Sequence, residues 1–411
     1  MTELVITNAT VVLPDRVIER GTVEISGGRI ADIGETFSTL SHPGREVIDA
    51  AGAYLLPGLV DIHNDSLEIE VNPRPGTNLP LPFALNNCER RLVAAGVTTE
   101  FHAIGFMNRP AAQRTVDGAR ERTAFIAALR SEAPRIIDHH VLHRINVRDR
   151  ESLPVVLDSL EGFELRYASL DDHTPGQGQY QDTEVFYQRM RELAEARGER
   201  PQSWEEFEQR IIQAANDTTT VPHVYATVRA AARRLRLTLA SHDDHTPEKV
   251  DRLHEVGARI AEFPITVDAA RRARERGMWT VVGAPNLVRG GSQIGNVSAA
   301  ELVERGLADI ICADYHAPSI LAAAFKLERE GMRDLPGAVR MVTLNPARAV
   351  GLNDRGAIEP GRRADLIQVR LDNHGFPHVE ATYSRGRPIF TLAGQAHSTA
   401  PRPLKGALVD R

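Results

Sequence analysis

The chain begins and ends with short segments in which apolar and polar residues alternate closely. Near the start the runs are LVITNATVVL, GTVEISGGRIADIG and EVIDAAGAYLLPG, which are rich in Val and Ile and separated by Gly and Asn. Near the end, GAIEPGRRADLIQVRLD and VEATYSRGRPIF have the same character. Such runs with turn residues between them predict β-strands joined by tight turns. We therefore expect residues 1–55 and 346–395 to pair as one small composite β-sandwich domain.

Between these segments, residues 56–345 alternate between apolar, β-rich runs and amphipathic helical patterns. Eight β-rich runs occur, namely LPGLVDIH, GVTTEFHAI, PRIIDHHVLH, LRYASLDDH, LTLASHDDH, ARIAEFPIT, WTVVGAPN and ADIICADYH. Helical patterns such as VDAARRARERG and SAAELVERG separate most of them. Eight successive units of this kind predict an α/β fold of the (β/α)₈ TIM-barrel type.

Residues 183–236, between the fourth and fifth β-rich runs, are predicted to be helical and are strongly charged. A long helical insertion at such a connection is often a lid over an active site. A pair of surface helices without that role is an equally good interpretation, and both stay open. Residues 396–411 are predicted to form a tail outside both domains.

Most of the eight runs end in residues that can bind a metal or a phosphate. They are His63 and Asp65, His102, His140 and His143, Asp171, Asp172 and His173, His242, Asp243, Asp244 and His245, Glu262, Asn286 and Arg289, and Asp314 and His316. Because the carboxyl ends of barrel strands meet at one face, residues distant in sequence become neighbours there. A single His at a strand end is more often structural, but the recurrence at nearly every strand favours a functional site.

Imidazole nitrogens combined with carboxylate oxygens indicate a particular class of ligand, a divalent transition metal. The two cysteines, Cys88 and Cys312, do not have the spacing of a closed thiolate zinc site. We therefore expect one or two Zn²⁺ ions at this face, with Mn²⁺ or Fe²⁺ as alternatives. A pair of such ions can convert a bridging water into hydroxide at neutral pH.

Three loops carry groups suited to phosphate oxygens. RGGS, at 289–292, places a guanidinium beside two glycines and a Ser, NPRPG contains Arg74, and DDHTPGQGQY contains Gln177 and Gln179. Exposed backbone N–H groups and guanidinium groups both bind phosphate. An interpretation of Arg74 and Arg289 as surface ion-pair partners is equally well supported by these residues alone.

Composition narrows the function classes. The chain has 49 Lys and Arg against 55 Asp and Glu, a formal charge of −6, and so offers no basic surface for nucleic acid. Signal-peptide features and apolar runs of the roughly 20 residues that span a bilayer are not found, so we expect a cytoplasmic protein without a membrane partner. We expect a small anionic, phosphorylated substrate and a homo-oligomer.

The strand-end ligands and the composite outer domain together resemble the amidohydrolase superfamily. The resemblance runs from LLPGLVDIHND to EPGRRADLIQV and so covers nearly the whole chain. Longer motifs, SLDDHTPGQGQY, GAPNLVRGGSQIGNVSAAEL and DIICADY, are similar to one family within it. These are the diphosphatases of the carbon–phosphorus lyase pathway, which remove pyrophosphate from ribose 1-methylphosphonate 5-triphosphate.

The resemblance implies a role for each matching position. The metal ligands would be His63, Asp65, His242, Glu262 and Asp314, with Asp172 or His173 as the strand-four bridge. Asp314 would also take the proton from the attacking water, with His242 as the second catalytic residue. Pyrophosphate would be held by Arg74 and Arg289, in a substrate-binding set of Arg74, His143, Gln177, Arg289, Gly290, Gly291 and Ser292.

Two positions differ from that family's pattern. Ile69 stands where a Lys is expected, and the Glu expected after Arg144 is missing. Three functions therefore stay open: a metal-dependent phosphoanhydride hydrolase acting on a ribose 5-triphosphate, an amide or cyclic-amide hydrolase or deaminase acting on a small anion, and a non-enzymatic scaffold. The presence of the predicted ligands on strands one, five and eight favours an enzyme.

Overall fold

A computed structural model of the protein describes residues 3–35, 45–74, 76–107, 115–129, 136–175, 183–196, 204–205, 209, 212–213, 216–217, 219–291 and 296–392. Within these ranges, no helix is long and apolar enough to cross a membrane.

The two ends of the chain share one eight-stranded sheet. Its strands are β1 Glu3–Val12, β2 Val17–Ser26, β3 Arg29–Gly34, β4 Glu46–Asp49, β5 Tyr54–Pro57, β14 Leu366–Leu371, β15 Pro377–Ser384 and β16 Arg387–Thr391. The hydrogen-bonded order is β16-β15-β14-β5-β1-β2-β3, and β4 also pairs with β1. The β5–β14 pair joins the N-terminal and C-terminal strands, which confirms the predicted composite domain as a single branched sheet.

A second sheet contains eight parallel strands, one from each predicted β-rich run. They are β6 Leu59–Asn64, β7 Val97–Phe106, β8 Asp138–Asn146, β9 Tyr167–Asp171, β10 Thr238–His242, β11 Ile260–Glu262, β12 Trp279–Gly283 and β13 Ile310–Cys312. Each strand pairs with the next in chain order. The predicted (β/α)₈ barrel is confirmed.

Helices connect these strands and follow the last of them. They are α1 Ser66–Val71, α2 Leu81–Ala94, α3 Val116–Leu129, α4 Leu153–Glu161, α5 Thr183–Ala196, α6 Thr220–Leu235, α7 Pro247–Val256, α8 Val267–Glu275, α9 Ala284–Arg289, α10 Ala299–Glu304, α11 Pro318–Arg329, α12 Leu335–Val342 and α13 Leu344–Ala349. Several begin at a side-chain cap. Thr246, Thr266 and Ser298 each accept a backbone N–H from the first turn of the helix that follows.

The segment predicted as an insertion contains α5 and α6. Helix α6 buries Val224, Val228, Ala231 and Leu235 in the layer between the helices and the strands. It is therefore the ordinary outer helix that precedes β10, and the lid hypothesis concerns only the residues before it. That hypothesis stays a prediction.

Side chains of the barrel strands alternate between its interior and the helix layer. One apolar cluster fills the interior and includes Val60, Ile62, Phe101, Leu142, Tyr167, Ala240, Ile260, Val281, Ile310 and Cys312. The helices pack on outward-facing residues such as Val141, Ile145, Leu170, Leu239 and Ala261. This alternation decides which polar residue at a strand end can reach the interior.

Ion pairs link the barrel to the composite sheet. Asp138, at the start of β8, pairs with Arg355 and Arg363, and Arg385 lies 3.6 Å from its carboxylate. Arg355 also donates a hydrogen bond of 3.0 Å to the Thr99 hydroxyl on β7. Burial would raise the pKa of Asp138, but Arg363 and Arg355 hold that pKa well below its usual range. The carboxylate therefore stabilises the contact between the two domains.

Asp138→Asn should destabilise the protein by about 3 kcal/mol, because removing one partner of a buried pair leaves the guanidinium groups uncompensated. A depressed pKa means that this stabilisation is complete above the ordinary aspartate pKa of about 4 and is lost as pH falls below it. Denaturant unfolding at pH 7 measures the difference. Asp268→Asn, which removes an exposed pair with Arg271, is the control. Equal stability of both variants would contradict the assigned role.

Candidate active site

Three of the strand ends carry the same backbone feature. Asp243, Phe263 and Asp314 directly follow a strand end or lie close to one, and have left-handed φ values of 51°, 52° and 60°. Their N–H groups donate to carbonyl oxygens on neighbouring strands. Asp243 donates to Glu262 at 3.0 Å, Phe263 donates to Val281 at 2.9 Å, and Asp314 donates to His63 at 2.9 Å. Non-glycine residues rarely adopt this conformation, and such residues cluster at functional sites.

Glu262, at the end of β11, lies at the centre of the polar residues on this face. Its Oε1 is 3.1 Å from Nδ1 of His63 and its Oε2 is 3.3 Å from Nδ1 of His242. The Tyr167 hydroxyl donates to Oε1 at 2.7 Å and the Ser169 hydroxyl donates to Oε2 at 2.6 Å. The carboxylate is fully buried. Its contacts with these two histidines and two hydroxyl groups fix its orientation.

Three sets of potential ligand atoms share these histidines. In each set the atoms lie within 4.8 Å of one another, and the sets are His63, His242 and Glu262; His63, Asp65 and Asp314; and His173, His242 and Asp243. They come from five different strands of the barrel. The convergence expected at the carboxyl ends of the strands is therefore present in the structure.

Arg144, near the end of β8, adds a buried positive charge. Its Nε donates to Oδ2 of Asp171 at 2.6 Å, and its Nη1 lies 3.2 Å from Oδ1 of Asp65. Burial would lower the pKa of Arg144, but the carboxylates of Asp171 and Asp65 raise it, so the guanidinium stays charged. It holds the carboxylates of strands one and four together.

The carboxylates make the site attractive to cations. Burial alone would lower the pKa of His242, but Asp243, Asp171 and the contact with Glu262 raise it to about 9. Burial would raise the pKa of Asp243, yet His242 and His173 lower it to about 2. The carboxylates around His242 therefore stabilise positive charge, as a site for a divalent cation requires.

Asp314 differs from the other carboxylates. Burial raises its pKa to about 6, although the neighbouring His63 opposes the shift. A carboxyl group with a pKa near neutrality can both accept and release a proton. Asp314 is therefore the residue of this group best suited to proton transfer.

The residues present fit a divalent metal. His63 Nδ1, Asp171 Oδ1 and Asp243 Oδ2 are buried but have no hydrogen-bond partner. The contact of His63 Nδ1 with Glu262 is short but not aligned as a hydrogen bond, which suits two ligands directed at a common cation. Mixed imidazole and carboxylate donors are the usual ligands of Zn²⁺, Mn²⁺ and Fe²⁺.

Lys249, on α7, supports the strand-five end of the site. Its ammonium group donates to the carbonyl oxygens of His242 at 2.9 Å and Asp243 at 3.1 Å. It also lies 3.7 Å from the buried carboxylate of Asp244. These contacts stabilise the left-handed turn at Asp243 and so fix the direction of the two potential ligands.

Comparison with known proteins defines the family. The model of the amidohydrolase family matches residues 163–398. The chain is 34% identical over 393 residues to the alpha-D-ribose 1-methylphosphonate 5-triphosphate diphosphatase of Escherichia coli K12, an alignment that covers 94% of this chain and 100% of that relative. The chain belongs to the amidohydrolase family.

Other members of the family are similar over most of the chain. Adenine deaminase 3 of Rhizobium meliloti is 26% identical over 385 residues, which cover 89% of this chain and 53% of the relative. The solved β-aspartyl dipeptidase of Fervidobacterium islandicum has a TM-score of 0.61 at 16% identity and covers 97% of this chain and 98% of its own, which shows a shared fold. Because this amidohydrolase has hydrolases as relatives, it is itself a hydrolase.

Two predicted site residues lie elsewhere in this amidohydrolase. His143 faces outward from β8, where its nitrogens contact the Tyr167 carbonyl at 3.3 Å and the Ser159 hydroxyl at 3.1 Å. It is fully buried against the helix layer, so the expectation that it binds substrate was wrong. Asp172 is turned toward Arg148, at 3.2 Å, and is absent from the three ligand sets. The strand-four carboxylate directed into the site is Asp171.

Three residues that the sequence-based ligand set omitted belong to the site: Arg144, Asp171 and Asp243. Strand alternation could have identified the first two. On β9, Tyr167 faces the interior, so Asp171 faces it too and Asp172 does not. Asp243 could not be found in this way, because its orientation depends on the left-handed turn.

Of the other predicted substrate-binding residues, Arg74, Arg289, Gly290 and Gly291 lie in segments that follow the carboxyl ends of β6 and β12. Arg74 and Arg289 are exposed, the first donating to the Thr77 hydroxyl at 3.2 Å and the second to the Gly291 carbonyl at 2.8 Å. Gly290 ends α9 in the left-handed region, with a φ of 87°. Gln177 and Ser292 lie outside the described residues.

A pair of histidine substitutions tests the location of the site. His63→Asn should lower the metal content of the purified protein at least several-fold, because it removes a member of two ligand sets. His143→Asn should leave the metal content unchanged. Inductively coupled plasma mass spectrometry measures both, with circular dichroism to confirm folding. Metal loss from a folded His143→Asn protein, or full retention by His63→Asn, would contradict this assignment.

Proposed function

We propose that this amidohydrolase is a metal-dependent diphosphatase that releases pyrophosphate from a ribose 5-triphosphate. The observation that carries the proposal is the end-to-end alignment with the Escherichia coli diphosphatase, at 34% identity over the whole of that relative. The contacts around Glu262 and Asp314 support it, since they provide a buried, cation-binding site with a group suited to proton transfer.

In this reaction a water oxygen attacks the phosphorus nearest the sugar. The bond from that phosphorus to the bridging oxygen breaks, and pyrophosphate leaves with the bonding electron pair. When bound, one or two divalent cations, Zn²⁺ in our proposal, supply Lewis acidity that lowers the pKa of the water and stabilises charge on the phosphoryl oxygens. The chain itself must orient the water, take its proton and hold the departing anion.

Asp314 takes the proton from the attacking water. Its backbone N–H donates to the His63 carbonyl, and its own carbonyl accepts the Asp65 N–H at 2.7 Å, so its position relative to strand one is fixed. Fixed positioning of a base near the reacting atom is a major part of enzymatic rate enhancement. His242, in contact with Glu262, orients the opposite side of the site.

Exposed guanidinium groups bind the leaving pyrophosphate. Arg74 follows α1 and Arg289 ends α9, so both come from connections on the catalytic face of the barrel. A guanidinium group pairs with phosphate oxygens through two parallel hydrogen bonds. Because the protein is acidic overall, these local cations give the rim of the site its affinity for an anionic substrate.

Assays of the products released by the metal-reconstituted protein test which class of substrate it hydrolyses. We expect pyrophosphate release from ribose 5-triphosphates, including the 1-methylphosphonate, and no ammonia release from adenine or small amides. Coupled enzymatic assays detect both products. Ammonia release without pyrophosphate would replace this proposal by a deaminase or amidase activity, for which the similarity to adenine deaminase 3 is the supporting observation.

Asp314→Asn should lower kcat by about 100-fold or more, because an amide cannot accept the proton, while thermal stability persists. Steady-state pyrophosphate release measures kcat and KM separately. Asp117→Asn, which changes an exposed carboxylate on α3, is the matched control and should keep the parental kcat. A folded Asp314→Asn enzyme with near-parental turnover would contradict the role of Asp314 as base.

A further inference from the structure

The carboxylate of Glu262 connects the two sides of the site. One oxygen faces His63 and the other faces His242, at 3.1 and 3.3 Å, and the two imidazole rings are stacked with centroids 5.6 Å apart. Donor atoms bound to one Zn²⁺ at its usual ligand distances lie roughly 3–3.6 Å from each other. Each Glu262 oxygen is therefore spaced from its histidine as two ligands of a single cation are.

The Tyr167 and Ser169 hydroxyls keep this carboxylate in place. Each donates to a different oxygen, and each oxygen keeps a second lone pair, which on Oε2 faces Nδ1 of His242 at 3.3 Å. The phenol stays protonated, since burial and the adjacent Glu262 raise the pKa of Tyr167 well above its usual range. Hydrogen bonds of this kind orient metal ligands in other proteins.

The carboxylate of Asp171, on strand four, has different hydrogen-bond partners from that of Glu262. Oδ2 of Asp171 accepts the short hydrogen bond from Arg144, and only Oδ1 lacks a hydrogen-bond partner. A carboxylate that bridges two cations uses one oxygen for each of them. The donor to Oδ2 of Asp171 is a positively charged guanidinium, which repels a cation at that oxygen, whereas the donors to the two Glu262 oxygens are neutral hydroxyls. Asp171 is therefore suited to one cation through Oδ1, whereas Glu262 can bind a cation through each oxygen.

We propose that Glu262 bridges two divalent cations and that Arg144 restricts Asp171 to a terminal role. The bridge thus comes from strand six, where the sequence predicted an ordinary ligand, and not from strand four. The other ligands divide between the two sides as His63, Asp65 and Asp314, and as His173, His242 and Asp243.

The charges at the site agree with two cations. Five carboxylates face one guanidinium, which leaves four negative charges that two divalent cations balance. The carboxylates are Asp65, Asp171, Asp243, Glu262 and Asp314. This inference rests on the metal dependence in the proposed function and is independent of its substrate.

The test counts metal ions in the full-length protein reconstituted with Mn²⁺, by mass spectrometry and by electron paramagnetic resonance. The parent should hold two ions per chain with the spectrum of an exchange-coupled pair. Glu262→Gln should hold one ion or none and lose the coupling, because an amide offers one good ligand atom. Asp171→Asn, the matched control, should keep two coupled ions. Circular dichroism confirms folding of both variants.

Three results would overturn the proposal. One ion in the parent would exclude a two-metal centre, whichever substrate is hydrolysed. Two coupled ions in Glu262→Gln would reduce Glu262 to a residue that positions His63 and His242. Loss of an ion from Asp171→Asn would return the bridge to strand four. Since no activity is measured, failure of the pyrophosphate assay and failure of this proposal are distinguishable.

Discussion

The closure of the barrel between its first and last strands is the constraint on which the site depends. β6 and β13 are separated by about 250 residues, and the hydrogen bonds that join them are made largely by site residues. Asp314 donates its N–H to His63 and accepts the N–H of Asp65, at 2.9 and 2.7 Å. Below them, the buried carboxylate of Asp61 accepts the Ala313 N–H at 3.0 Å. The proposed metal ligands and the proposed base are thus positioned by the same hydrogen bonds that complete the barrel.

Much of the fold could be predicted from the sequence, because its eight β-rich runs and the turns at both ends are local patterns. The polar residues that follow each run also predicted the face on which the site lies. The direction of individual side chains was harder. His143 was misassigned because it lies three positions after His140, which places the two on opposite faces of β8, with His140 stacked on the interior Phe101. At Asp243 the left-handed turn is a three-dimensional property that residue type alone does not reveal.

Electrostatics explains why so many carboxylates can be buried together. Arg144 neutralises part of the charge of Asp65 and Asp171, Lys249 does the same beside Asp244, and the remaining negative charge provides the affinity for cations. Against the effect of burial, the same surplus of negative charge raises the pKa of His242, mainly through Asp243 and Asp171. The family relationship and this charge distribution agree on one chemistry, hydrolysis assisted by divalent metal. Ile69 is exposed on α1 and carries no charge at the position where the related diphosphatases were expected to have a Lys.

Anomalous diffraction from crystals of the metal-loaded protein, collected on both sides of the metal absorption edge, shows directly whether Glu262 lies between two cations. We expect two anomalous peaks, one on each side of the Glu262 carboxylate, each at about 2.0–2.2 Å from one of its oxygens. One peak would have His63 among its ligands and the other would have His242. An empty position between these histidines at saturating metal, or a peak only at a distant group of residues, would contradict this expectation.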